Sequence, residues 1–315
     1  MTRAFVFPGQ GSQAVGMGMK LAEAFPAARL VFEEVDDALG QRLSKLMAEG
    51  PMDTLTLTEN AQPALMAVSV AVTRVIEGEG GKKLGEIADF VAGHSLGEYS
   101  ALAAANAFGL ADAARLLRIR GKAMQAAVPA GEGAMAALLG VELADAEAVA
   151  KDAAAATGLI CAAANDNGPG QIVVSGAKAA VEHAVKIAPE RGAKRCVMLP
   201  VSAPFHCALM QPAADRMAEA LSTVTIAPPV VPVVANVTAT PVSDPDTIRE
   251  LLIKQVTALV RWRDCVLRMK ADGVAATVEL GAGKVLAGLN RRIDRDLAVV
   301  SVETPADVEA FLKTL

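Results

Sequence analysis

The stretch Ile87-Ala-Asp-Phe-Val-Ala92-Gly93-His94-Ser95-Leu96-Gly97-Glu98 carries an apolar run of strand character, Ile87 to Ala92, through a Gly-x-Ser-x-Gly turn into an alanine-rich helical run from about Glu98. In a chain with 26 glycines the five-residue pattern alone could be an ordinary turn. Its setting decides otherwise. Strand, sharp turn and helix in that order place a serine on a strained elbow above the sheet, with the flanking glycines letting strand and helix approach closely. Ser95 is the candidate nucleophile, and the surrounding architecture is predicted to be α/β.

Upstream, Ala4-Phe-Val-Phe7 reads as a short buried strand stopped by Pro8-Gly9. Helical spacing recurs over Ala27 to Leu39 and again from Leu65 to Ile76. Downstream the texture changes at Pro129-Ala-Gly131. Six elements follow in the order β-α-β-β-α-β: strand Ala134–Gly140, helix Ala144–Ala156, strand Leu159–Ala164, strand Gln171–Ser175, helix Ala177–Ala188 and strand Lys194–Met198, with a turn over Asn165–Gly170. That order is the ferredoxin-like, split βαβ unit. The expected organisation is a large α/β body over 1–130 and 199–315, carrying a small subdomain over 131–198. The rest of the body reads as a helix from about Leu209, a strand Val230–Asn236, helices around 246–270, a strand Ala275–Leu280 and a short terminal strand and helix.

Bulk properties exclude several classes. A chain of 315 residues, 53% hydrophobic, can bury a sizeable core. A formal net charge of −5 with no run of Lys or Arg gives no footprint for nucleic acid or an anionic membrane. Cys161, Cys196, Cys207 and Cys265 form no C-x-x-C pair, so neither a zinc site nor a disulfide framework is indicated and no metal is expected. No apolar run reaches the ~18 residues of a membrane span, and the first residues lack the apolar length of a signal sequence. A cytoplasmic monomer is expected.

A serine nucleophile needs a base, and there are three histidines. His94 adjoins Ser95 on the elbow, where successive side chains diverge, and suits a structural or site-lining role. His183 lies off the apolar stripe of its helix and reads as a surface residue. His206, in the proline-stiffened Pro200-Val-Ser-Ala-Pro204-Phe-His206, is the candidate base. Arg120 falls among Ala113, Leu116, Leu117 and Met124 on the inward face of a helix over Ala111–Gln125. A buried guanidinium needs a carboxylate, whether of the protein or of a ligand. Gly9-x-Gly11-x-x-Ala14 follows a strand but is succeeded by a helical run and not by a second strand ending in an acid, which excludes a dinucleotide site. Gly281-Ala-Gly283-Lys284 lacks the upstream glycine and the Ser/Thr of a P-loop.

Phe7-Pro-Gly-Gln-Gly-Ser-Gln13, Gly93-His-Ser-Leu-Gly-Glu-Tyr-Ser-Ala101, Arg120-Gly-Lys-Ala-Met-Gln125 and Pro204-Phe-His206 together resemble the malonyl-CoA:acyl-carrier-protein transacylases of type II fatty acid synthesis, over nearly the whole chain. The resemblance implies an α/β-hydrolase-like body with the ferredoxin-like insert. It implies that Ser95 is the nucleophile, His206 its base, and the Gln10 and Leu96 amides the oxyanion hole. Arg120 would hold the malonyl carboxylate, and the main-chain carbonyl of Gln255 would orient His206. Phe205 resembles the malonyl-selective pattern, Asn165 and Asn167 are candidates to line the site, and Ala282 stands where the family often has proline. The implied substrates are malonyl-CoA, a coenzyme A thioester, and the phosphopantetheine thiol of acyl carrier protein, with no bound cofactor. A serine esterase or thioesterase, and a non-catalytic scaffold of a synthase, are the rival readings.

Overall fold

Arg3–Phe7 (β1) is buried from Ala4 onward, as a strand flanked by parallel partners and covered on both faces must be. The computed structural model describes residues 2–201 and 203–315; Met1 and Ser202 lie outside the described residues. The other strands are Phe90–Gly93 (β2), Gly133–Leu139 (β3), Cys161–Asp166 (β4), Gln171–Ala177 (β5), Arg195–Met198 (β6), Val233–Val234 (β7), Pro241–Val242 (β8), Ala276–Leu280 (β9) and Ala298–Val302 (β10). One sheet has the order β10-β9-β1-β2-β7-β8, parallel except where β8 runs against β7. The other is antiparallel, in the order β4-β5-β3-β6. Val149 and Ala150 of the helix Leu143–Thr157, with Val181 and Ala184 of the helix Lys178–Ile187, pack onto Ala136, Leu138, Ile172 and Val174 of the second sheet in a core of its own.

The main sheet leads from β1 to β2 on one side and returns to β9 on the other. This reversal opens a crevice at the carboxyl ends of the strands, the usual place for ligands in open α/β sheets. The Pro8–Ser12 loop leaves β1 there and the Gly93–Gly97 elbow leaves β2 beside it, in the register Phe7↔Gly93. The buried helix Thr58–Gly80 and the helix Leu110–Ala126 roof this end. They approach closely because Gly121 has no side chain; a Cβ there would lie 2.5 Å from Glu59 Cα. Val260 borders β4, its N–H donating to Ala164 O (2.9 Å) and its carbonyl accepting from Asp166 N (2.9 Å), while its side chain belongs to the core of Val6, Ala92 and Val234 on the main sheet.

Three readings need correction. The strand expected from Ile87 starts at Phe90, because Leu84–Ile87 closes a helical turn capped by Glu86, whose Oε2 accepts from Lys83 N (2.7 Å). The strand expected over Val230–Asn236 shrinks to Val233–Val234. Pro232 has no N–H to give the ladder, and Asn236 turns its side chain to the elbow. The turn expected at Asn165 begins later, since β4 runs through Asp166 with an irregularity between Ala163 and Asn165.

The elbow has no spare volume. A Cβ on Gly93 would lie 1.9 Å from the Gly97 carbonyl, and one on Gly97 would lie 2.2 Å from Phe7 O. Both obstacles are backbone held in the sheet and helix. Gly97→Ala is expected to cost about 3 kcal/mol or more. In the same urea titration Gly78→Ala, exposed and with nothing within 4 Å of its added methyl, should be neutral or stabilising by up to ~1 kcal/mol. Equal midpoints for the two variants would contradict this account of the elbow.

Candidate active site

Ser95 sits at φ 54°, in the left-handed region that a non-glycine residue occupies at a cost of about 1–3 kcal/mol. Hydrogen bonds pin it there: its N–H donates to Asn236 Oδ1 (2.8 Å), and its carbonyl accepts from Gln255 Nε2 (2.9 Å) and Glu98 N (3.1 Å). Asn236 Nδ2 also donates to Gly93 O (2.7 Å), so one side chain clamps both arms of the elbow.

His206 comes from the opposite side and also has a positive φ, 59°. Its loop rests on β3, where Gly133 leaves room for Pro204: a Cβ on Gly133 would lie 2.3 Å from Pro204 Cδ. Nε2 of His206 is 2.8 Å from Ser95 Oγ, and Nδ1 is 2.8 Å from the Gln255 carbonyl. A carbonyl only accepts, so Nδ1 carries the proton and the Nε2 lone pair faces the serine hydroxyl. Burial, and after it the Arg120 charge, lower the His206 pKa from 6.5 to about 3, which keeps the imidazole neutral.

Arg120 is 1% exposed. Nη1 donates to Gln62 Oε1 (2.8 Å); Nη2 donates to Gln255 Oε1 (2.9 Å) and Ser95 Oγ (3.1 Å). Its guanidinium carbon lies 5.7 Å from the centre of the Tyr99 ring. Among the described residues no carboxylate oxygen comes within 4.0 Å of its nitrogens. Of the two partners the sequence left open for this cation, an ion pair within the protein is therefore not formed. Burial lowers its pKa, yet a guanidinium remains protonated in proteins.

These groups line a cleft of about 560 Å³, together with Gln10, Leu96, Phe205, His94, Asn165 and Asn167. Among the described residues neither the Gln10 nor the Leu96 N–H donates to a protein acceptor. His94 Nε2 lies 2.8 Å from Asn167 Oδ1, while His183 is outside the cleft on the helix Lys178–Ile187. Ala282 is buried in the loop whose neighbour Gly281 packs on Pro8. Apolar Met52, Met124, Met135 and Val173 complete the walls.

Four polar residues not singled out as site residues from the sequence support this arrangement: Thr58, Gln62, Glu98 and Asn236. Arg120, Gln62, Thr58 and Gln10 form a continuous hydrogen-bonded chain, since Gln62 Nε2 donates to Thr58 Oγ1 (2.8 Å) and Thr58 Oγ1 to Gln10 Oε1 (2.8 Å). Gln62 and Glu98 lie on buried helices whose other buried residues are mostly alanine and apolar side chains. Among the described residues no cluster of three metal-ligating side chains occurs, and no helix is long and apolar enough to cross a membrane.

Residues 4–302 match the family model described as an acyl transferase domain. The chain is 47% identical over 314 residues, 99% of its length and 96% of the relative's, to the malonyl CoA-acyl carrier protein transacylase of Bacillus subtilis strain 168. It is similar to a solved acyl-carrier-protein S-malonyltransferase from Bartonella henselae, at 57% identity and a TM-score of 0.97, covering 100% of this chain and 99% of that one. It is also similar, at 42% identity and a TM-score of 0.96 with 100% of both chains covered, to a malonyl-transacylase solved in complex with a type II polyketide synthase acyl-carrier protein.

Proposed function

The chain belongs to the acyl transferase domain family, and from that premise we propose that it transfers a malonyl group from malonyl-CoA to the phosphopantetheine thiol of acyl carrier protein in fatty acid synthesis. The observation that carries this reading is one cluster: a hydrogen-bonded line from the Gln255 carbonyl through His206 to Ser95, beside a buried guanidinium that, among the described residues, has no carboxylate oxygen within 4.0 Å. The line can make an ester. The guanidinium selects an acyl group bearing a carboxylate.

The reaction is ping-pong. Ser95 Oγ attacks the thioester carbonyl as its proton passes to His206 Nε2, and the Gln10 and Leu96 N–H groups receive the oxyanion, a role in which single donors are typically worth about 10²–10³ in rate. The carbon–sulfur bond breaks, and the coenzyme A thiol leaves with the proton from His206. In the second half the phosphopantetheine thiol gives its proton to His206 and attacks the ester through the same hole, and Ser95 leaves with that proton restored. Phe205, buried against the cleft, supplies bulk where a methyl branch on the acyl α-carbon would sit. The α/β-hydrolase-like body, over 1–130 and 199–315, supplies the elbow and the hole, and the ferredoxin-like insert over 131–198 supplies one wall of the cleft. Arg120 positions the ester for a tethered thiol, which leaves water poorly aligned.

Intact mass after mixing the protein with malonyl-CoA is the test. The wild type should gain one malonyl unit and lose it on addition of phosphopantetheinylated acyl carrier protein, while Ser95→Ala should gain none. Free malonate accumulating from unmodified wild-type protein would instead identify a hydrolase, and a wholly inert protein a scaffold.

A further inference from the structure

Glu98 is an acid buried where the reaction just described does not use it, 2% exposed within the apolar helix Gly97–Ala104. Its Oε2 accepts from Asn236 N (3.1 Å) and from Gln255 Nε2 (2.9 Å). The other end of the same Gln255 amide, Oε1, accepts from Arg120 Nη2 (2.9 Å). One side-chain amide thus separates a buried acid from a buried cation, its N–H end toward Glu98 and its oxygen toward Arg120. A flipped amide would set its donors against the guanidinium, so Glu98 also fixes the orientation of Gln255.

Resting on the malonyl-transfer reading, we infer that Glu98 is the resident counter-charge of Arg120, held across the Gln255 amide, and that the acyl carboxylate competes with it for the guanidinium. Glu98 is then a positioning residue that sets how tightly carboxylate-bearing acyl groups are held. Two carboxylates around one cation repel, and the buried one can relieve this by taking a proton from solvent when the acyl group arrives. Burial first of all holds Glu98 at about 7, against an ordinary 4.5, within reach of that protonation. The other titratable groups facing it stay neutral near pH 7: Tyr99 on its own helix and Cys265 on the helix Trp262–Ala271, both raised by burial.

The sign follows from linkage. Above pH 7 Glu98 is ionised and opposes the incoming carboxylate; below it the acid is protonated and opposes nothing. The experiment measures the half-saturating malonyl-CoA concentration in single-turnover acylation from pH 6 to 8, and the inhibition constant of acetyl-CoA, which lacks only the carboxylate. Titration of the coenzyme phosphates is common to both ligands and cancels in the ratio. In the wild type the preference for malonyl-CoA should rise about 3- to 10-fold from pH 8 to 6. Glu98→Gln should show the raised preference at pH 8 already, with no dependence on pH and with acetyl-CoA binding unmoved. A merely structural Glu98 would weaken both ligands alike in the variant and leave the wild-type ratio level, and either result overturns the inference. Should the variant fail to fold, the wild-type ratio decides alone: level overturns, rising on acidification supports. Absence of any wild-type adduct is a different failure, which removes the malonyl-transfer reading itself and this inference with it.

Discussion

Replacing His206 by alanine is expected to slow formation of the acyl-Ser95 ester by on the order of 10⁴–10⁶, the loss typical when a serine nucleophile is deprived of its base. Nε2 is 2.8 Å from Ser95 Oγ, and among the described residues no second imidazole is bonded to the serine to take the proton. Rapid-quench intact mass, which follows the growth of the Ser95 ester directly, can measure that loss. Wild-type pH dependence follows from the same geometry. His206 must be neutral to accept a proton, and its pKa is lowered to about 3, first by burial and then by the Arg120 charge. Acylation at saturating malonyl-CoA should therefore stay level from pH 8 downward and decline only well below the ordinary histidine value of 6.5. An acid limb at the ordinary histidine value of 6.5 would mean that the imidazole is solvated in the working enzyme.

How much of this was legible in the sequence depended on the range of the signal. The elbow was legible because its cause is local: Gly93 and Gly97 are required by contacts with each other and with Phe7, and their spacing is written in five residues. The order of elements over residues 131–198 was legible for a similar reason, since each change of hydrophobic period is bounded by glycine or proline. Ser95, His206 and Arg120 could be nominated as types, but no local pattern brings residues 95, 120, 206 and 255 together. That needs the strand order of the main sheet and the close approach at Gly121, which are long-range facts. The role of Gln255 entered only through family resemblance, because a main-chain carbonyl has no signature in sequence. Asn236 and Glu98 were missed because all four bonds that define the clamp span 138 to 160 positions. The helix Val285–Ile293 was given no assignment in the sequence, although Leu286, Leu289 and Asn290 form its buried face.

Removal of the Arg120 guanidinium should reverse the choice of acyl group and leave the capacity to acylate Ser95. Truncating a buried, hydrogen-bonded charge partner typically costs 2–5 kcal/mol, so Arg120→Ala should lower kcat/KM for malonyl-CoA by about 10²–10³ or more. Acetyl-CoA, which places nothing at that position, should lose far less, since the bonds from the Gln255 carbonyl through His206 to Ser95 Oγ are made without Arg120, which adds only one donor to Ser95 Oγ (3.1 Å). The variant is not silent elsewhere. Gln62 Oε1, Gln255 Oε1 and Ser95 Oγ each lose a donor, but Gln62, Ser95 and Arg120 itself line the cleft, so water can enter the space left by the side chain. Arg120→Lys should fall nearer to alanine than to wild type for malonyl-CoA, because one ammonium cannot serve Gln62, Gln255 and a bidentate carboxylate from a single point. Parallel kcat/KM measurements with the two donors check this. Equal losses for malonyl-CoA and acetyl-CoA would assign Arg120 to the support of the serine and would leave the acyl carboxylate without its partner. A loss confined to malonyl-CoA would make the buried cation the reason that this site, built on a common serine elbow, accepts a doubly functional acyl group.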